Sequence, residues 1–119
     1  HHPVKSVHAM RVCCALEDDQ AALHKFATAA FNAYYGDQRN LDDPEVLVGI
    51  ANAVGLDGKA LAARTQEQPI KDRLRHNTEE AISRGAYGSP SIFVPFGDGE
   101  RMYFGNDQLP LVNWAIKQP

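Results

Sequence analysis

The chain has 119 residues, 44% of them hydrophobic, and a formal net charge of −3 at neutral pH, which suits a small globular protein. We expect no nucleic-acid partner, because no basic stripe is present to neutralise phosphates. We also expect a cytoplasmic protein without a membrane partner, since no apolar run approaches ~18 residues and the first residues lack the apolar segment of a signal peptide.

The first two helices are predicted from apolar residues that recur at helical spacing. The first covers residues 6–17, with Ser6 as its N-cap and with Val7 and Met10 on its buried side. The second covers residues 20–35.

Aromatic residues crowd the end of the second helix. Phe31 and Tyr34 fall on its apolar stripe, and we expect Tyr34 and Tyr35 to be core residues. Gly36 is the expected left-handed residue that ends the helix.

Cys13 and Cys14 are the only cysteines, and they are adjacent in the first helix. Two neighbouring cysteines make neither a disulfide framework nor a zinc site, so we predict no metal site and at least one core cysteine. The chain contains no Cys-x-x-Cys motif.

Three further helices are predicted from residues that are typical of helix N-termini. Asp43 and Pro44 are typical of a helix start, Asp57 begins a short helix that runs to Thr65, and a long helix covers residues 69–85.

The last third changes character from helix to strand. Residues 91–94 and 101–104 are apolar β-runs separated by a Gly-Asp-Gly turn, so they predict a hairpin. A final helix opens at Gly105, and we expect Leu111 and Trp114 to face inward from it. A two-stranded hairpin is marginal by itself. We therefore expect further strands from elsewhere, and a homodimer or edge-paired oligomer that uses the exposed edge of residues 91–94.

Ser89-Pro90 directly precedes the first strand, and the residues alone leave two interpretations open. The bond is either an ordinary trans peptide at a strand edge, which base rates favour since only ~5–6% of X-Pro bonds are cis, or a cis peptide. A cis peptide would present the Ser89 main chain to an extended peptide ligand.

Gly105-Asn106-Asp107 also has two interpretations. Free N–H groups at a helix start bind a carboxylate, and Asp107 beside them would suit the ammonium group of a zwitterion. The alternative is a plain helix cap with an acidic first turn.

The order and spacing of four segments resemble the 2-hydroxychromene-2-carboxylate isomerases, which belong with the kappa-class glutathione transferases in the DsbA-like thioredoxin branch. The segments are residues 3–11 (PVKSVHAMR), 42–47 (DDPEVL), 77–94 (NTEEAISRGAYGSPSIFV) and 103–111 (YFGNDQLPL).

The resemblance implies an α/β fold, mostly α. Residues 1–68 would form an all-α insertion domain, and residues 69–119 a long connecting helix with the C-terminal half of a thioredoxin-like domain, namely a β-hairpin plus the final helix. The strand–helix–strand that carries the family's catalytic serine is expected upstream. No catalytic residue is then expected in this chain, which would be inactive alone.

The resemblance further implies that Ser89, a cis Pro90, Asn106 and Asp107 hold glutathione. The implied reaction is the glutathione-dependent conversion of 2-hydroxychromene-2-carboxylate, a small aromatic substrate, to trans-o-hydroxybenzylidenepyruvate in naphthalene-type catabolism. A kappa-type glutathione transferase and a non-catalytic binding or assembly module are the alternatives. A DsbA-like oxidoreductase is less favoured, since it would need a Cys-x-x-Cys motif upstream.

Overall fold

A computed structural model describes residues 3–118 and confirms a mostly helical α/β chain with one two-stranded antiparallel sheet. The chain divides into two compact units between His76 and Asn77, inside the long helix. The domain boundary proposed after residue 68 stays a prediction. Within the described residues, no helix combines the length and the apolar character needed to cross a membrane.

The first unit is helical, and aspartates begin three of its helices. The side chains of Asp19, Asp43 and Asp57 accept hydrogen bonds from the free N–H groups of the first turns, which is how a good N-cap stabilises a helix. The helices are α1 (Val7–Ala15), α2 (Gln20–Phe31), α3 (Pro44–Ala53), α4 (Gly58–Arg64) and the first part of α5 (Gln68–Ser83).

The core of this unit is built from apolar side chains of all five helices. Phe26 of α2 has 0% exposure, and Leu47, Ile50, Leu61 and Ile70 are buried with it. Burying such side chains is the main source of stability for a bundle of short helices.

The C-terminal end of α1 is held by two arginines from later helices. Arg64 Nη1 donates to the Ala15 carbonyl at 2.9 Å, and Arg73 Nη1 donates to the Cys14 carbonyl at 3.3 Å. A cation is favourable there because the last carbonyls of a helix lack helical partners and carry partial negative charge. Arg73 also lies 3.5 Å from Glu17.

The inward face of α1 differs from the prediction. Val7 and Met10 are exposed, while Ala9, Val12 and Cys14 are buried, because the helix turns its small residues toward the neighbouring helices. Cys14 confirms the expected core cysteine. Ser6 is the N-cap residue of α1, as predicted, but its side chain makes no capping hydrogen bond.

The end of α2 also differs. A π-helical turn, Asn32–Gly36, follows it, and the left-handed residue after this turn is Gln38, not Gly36. Ala30 and Ala33 are the buried residues of this segment, and Phe31 lies off the face that they define. Phe31 and Tyr35 are exposed, whereas Tyr34 packs against the core as expected.

The second unit contains the end of α5, the strands β1 (Ser91–Phe96) and β2 (Gly99–Phe104), the 3-10 turn Asn106–Gln108 and α6 (Leu109–Ile116). The predicted hairpin is confirmed, with Ser91 opposite Phe104 at one end and Phe96 opposite Gly99 at the turn. Among the described residues β1 pairs with β2 alone. Association of a second copy along the other edge of β1 stays a prediction.

Helix α6 presents a different side from the one expected. Val112 is its buried residue, whereas Leu111 and Trp114 are exposed. A 3-10 turn precedes α6, so the helix begins at Leu109 and not at Gly105.

Candidate functional site

The candidate site is the loop of residues 85–90 together with the turn at residues 105–107. Gly85, with φ +92°, follows the end of α5 in the left-handed conformation, and the Ala86 N–H closes the helix on the Ala81 carbonyl at 3.0 Å. This helix ending is the one that glycine makes possible without strain.

The Ser89–Pro90 peptide is cis, which confirms that prediction. Both residues are exposed. The main-chain N–H and C=O of Ser89 have no hydrogen-bond partner among residues 3–118. A free donor and acceptor on one exposed residue can pair with the main chain of an extended ligand.

One hydrogen bond joins the loop to the turn. The Gly105 N–H donates to the Pro90 carbonyl at 3.0 Å, directly beyond the last β1–β2 pair, Ser91 and Phe104. The structure therefore brings together all four residues that the sequence singled out, Ser89, Pro90, Asn106 and Asp107, at one end of the hairpin.

Gly105 has a conformation that only glycine adopts readily, with φ 99° and ψ 150°. Its missing side chain leaves room for Asp107, since a Cβ at this position would lie 2.5 Å from Asp107 Oδ1. The glycine thus permits both the sharp turn after β2 and the position of the carboxylate.

Asn106 and Asp107 are exposed and lie in the 3-10 turn that leads into α6. Their main-chain N–H groups have no acceptor among the described residues, and no side chain caps the turn. Gln108 Nε2 approaches Asp107 Oδ2 at 3.4 Å. Two free N–H groups beside a carboxylate suit a zwitterion such as an α-amino acid.

Aromatic rings pack against the loop of residues 85–90. The rings of Tyr87 and Phe104 lie 4.8 Å apart between centroids. A Cβ on Gly88 would come within 2.5 Å of the Phe104 ring, so the main chain passes directly over that ring. The Ser91 hydroxyl donates to the Gly88 carbonyl, so Ser91 is a strand residue engaged in the loop, as the sequence indicated.

Arg84 anchors the start of the loop to the hairpin. Its Nε and Nη2 donate to the Glu100 carboxylate at 2.9 and 2.6 Å, and its guanidinium lies 4.2 Å from the centre of the Phe93 ring. The hydrogen bond lowers the pKa of Glu100 and raises that of Arg84. The sequence does not indicate this pair, since spacing within one helix gives no signal of a partner on a later strand.

The described residues contain no cluster of acidic, histidine or cysteine side chains that could hold a metal ion. Burial, and secondarily the neighbouring Cys14, raises the pKa of the Cys13 thiol, and a protonated thiol is a poor nucleophile. The chemistry that the site itself supports is binding by main-chain groups and one carboxylate.

Comparison with known proteins identifies the family. The family model described as a DSBA-like thioredoxin domain matches residues 1–117. A 2-hydroxychromene-2-carboxylate isomerase of Sphingobium xenophagum is 33% identical over 100 residues, covering 82% of this chain and 48% of the relative.

Two further relatives point the same way. A second 2-hydroxychromene-2-carboxylate isomerase, from Pseudomonas sp. (strain C18), is 26% identical over 91 residues, which are 76% of this chain and 41% of that protein. Glutathione s-transferase kappa 2 of Caenorhabditis elegans is 34% identical over 61 residues, or 50% of this chain and 27% of the relative. The chain spans about half the length, or less, of these relatives. Since the family model covers nearly all its residues, the chain belongs to the DsbA-like thioredoxin domain family.

Proposed function

We propose that this chain supplies the glutathione-binding side of a glutathione-dependent isomerase that converts 2-hydroxychromene-2-carboxylate to trans-o-hydroxybenzylidenepyruvate. The observation that carries the proposal is the hydrogen bond from Gly105 to Pro90, which places the free main chain of Ser89 beside the free N–H groups of Asn106 and Asp107. The names of two relatives support the reaction.

Each group of the site matches one part of glutathione. The Ser89 main chain would pair with the cysteinyl part, as one strand pairs with another. The N–H groups of Asn106 and Asp107 would hold the γ-glutamyl carboxylate, and the Asp107 carboxylate would hold its ammonium group. When bound, glutathione supplies the thiol that is the reaction's nucleophile.

A kappa-type glutathione transferase is the second candidate, favoured by the name of the Caenorhabditis elegans relative. The same binding residues would serve both reactions, so the distinction depends on the aromatic substrate. A non-catalytic binding module remains the alternative for the chain taken alone.

Calorimetric titration with glutathione tests the binding proposal, on this chain and on a chain extended by its upstream coding sequence. In the extended chain, Asp107→Asn should weaken binding at least tenfold, since a charge-assisted hydrogen bond contributes ~1.5–3 kcal/mol. Asp98→Asn is the matched control, because Asp98 is also exposed but lies in the hairpin turn. If the extended chain takes up no glutathione, the proposal is wrong.

Activity separates the two enzyme candidates. The extended chain should convert 2-hydroxychromene-2-carboxylate only when glutathione is added, and should leave the glutathione unconsumed. Net consumption of glutathione with an electrophile, without isomerisation, would favour the transferase instead.

A further inference from the structure

A cavity of about 280 Å³ lies between the β1–β2 hairpin and α6, at the opposite end of the hairpin from Ser89 and Asn106. Its volume is near the lower limit of small-molecule sites. It also exceeds the ~150 Å³ of an apolar cavity known to hold benzene. The principal lining side chains are Val94, Phe96, Arg101, Tyr103 and Trp114.

The register of the hairpin explains why these side chains meet. Val94 lies opposite Arg101, and directly opposed residues point to the same face of a sheet. Phe96 and Tyr103 are each two positions away along their strands, so they share that face. Helix α6 adds Trp114, and the buried side chain of Val94 forms the floor.

Two aromatic side chains of this cavity are largely exposed to solvent. Phe96 is 56% exposed and Trp114 is 58% exposed. Exposed aromatic rings around a concave surface leave apolar area that a planar ligand would cover.

The charge of the cavity is positive. The Arg101 guanidinium lies 3.8 Å from the centre of the Phe96 ring, and it forms no ion pair with a carboxylate of residues 3–118. The adjacent Glu100 belongs to the other face of the hairpin, where Arg84 binds both of its oxygens. No acidic side chain lines the cavity.

We propose that this cavity binds a small planar aromatic carboxylate. The ring of the ligand lies among Phe96, Tyr103 and Trp114, and its carboxylate pairs with Arg101. A stacked guanidinium is well suited to this role, since its planar fork matches a carboxylate while its face remains against an aromatic ring. The site is separate from the proposed glutathione site and does not depend on it.

Trp114 is the chain's single tryptophan and therefore a built-in probe. Benzoate, titrated into the full chain, should change the Trp114 fluorescence saturably, and the amide signals of Val94, Tyr103 and Ala115 should shift in the nuclear magnetic resonance spectrum. Benzamide, which has the same ring without the charge, should bind at least tenfold more weakly, as expected for loss of a charge-assisted contact.

Substitution of Arg101 completes the test. Arg101→Gln should weaken benzoate binding about tenfold and leave benzamide binding unchanged, whereas Arg101→Lys, which retains the charge, should lose less. Arg75→Gln is the matched control, since Arg75 is an exposed arginine of α5 outside the cavity. The proposal is overturned if benzoate gives no saturable response, if benzamide binds as tightly, or if both Arg101 variants retain full benzoate affinity.

Discussion

Gly105→Ala should damage both the stability of the second unit and its glutathione site. At φ 99° and ψ 150°, an alanine is held in a backbone region that costs about 1–3 kcal/mol for a residue with a Cβ. The Gly105 N–H also makes the bond to Pro90 that joins the two halves of the site.

The contact with Asp107 adds a local effect. The new Cβ would lie 2.5 Å from Asp107 Oδ1, closer than atoms pack. Because that oxygen is the end of a flexible side chain, it can rotate away, so the backbone accounts for most of the lost stability. The displaced carboxylate should instead appear as weaker glutathione binding in the extended chain.

Gly99→Ala is the matched control in the same hairpin. Gly99 does not have a positive φ, and the nearest heavy atom to an added Cβ is the Phe96 carbonyl oxygen at 4.0 Å. This substitution should change the free energy of unfolding by less than ~1 kcal/mol, in the stabilising direction if a loss of unfolded-state freedom dominates.

Urea unfolding followed by Trp114 fluorescence measures the effect, since the only tryptophan lies in this unit. The expected result is a lower midpoint for Gly105→Ala with an unchanged slope. If Gly105→Ala and Gly99→Ala unfold at the same urea concentration and bind glutathione equally, the role assigned to the Gly105 conformation is wrong.

Two further predictions concern the core and the pH dependence. Phe26→Ala should lower the free energy of unfolding by about 3–5 kcal/mol, because the side chain is fully buried. Phe31→Ala, at an exposed position of the same helix, should lower it by less than ~1 kcal/mol. Urea unfolding followed by circular dichroism compares the two variants, and equal losses of stability would contradict the role assigned to burial. Arg84 lowers the folded-state pKa of Glu100, so the stabilisation from this pair should be present above the ordinary glutamate pKa of about 4.3 and be lost as the pH falls through the lower folded value. The unfolding midpoints of the native chain and Glu100→Gln should therefore converge on acidification, and a difference independent of pH would refute the assignment.

Local signals in the sequence were sufficient for most elements of the fold. Asp43 and Asp57 stand where helices must begin because their short side chains reach the free N–H groups of the first turn. Gly97 adopts a positive φ in the hairpin turn, as expected of a glycine between two β-runs.

The candidate site was found by a combination of local pattern and family resemblance. From the residues alone, Ser89-Pro90 favoured a trans bond, and the resemblance reversed this to the cis bond observed. Neither source indicated the pairing of Arg84 with Glu100, because a contact between a helix end and a later strand leaves no periodic trace in the sequence.

The sequence by itself determined which segments form helices and strands and where most of the helices begin, since caps, glycines and the apolar period act over a few residues. Only the tertiary structure decided which way the aromatic residues point. The residues that are buried are Ala30 and Ala33 around the end of α2 and Val112 in α6. Tyr35 and Trp114 are exposed, although both were expected to be core residues. A helical period places residues on a common stripe, but the elements that pack against the helix decide which stripe is buried.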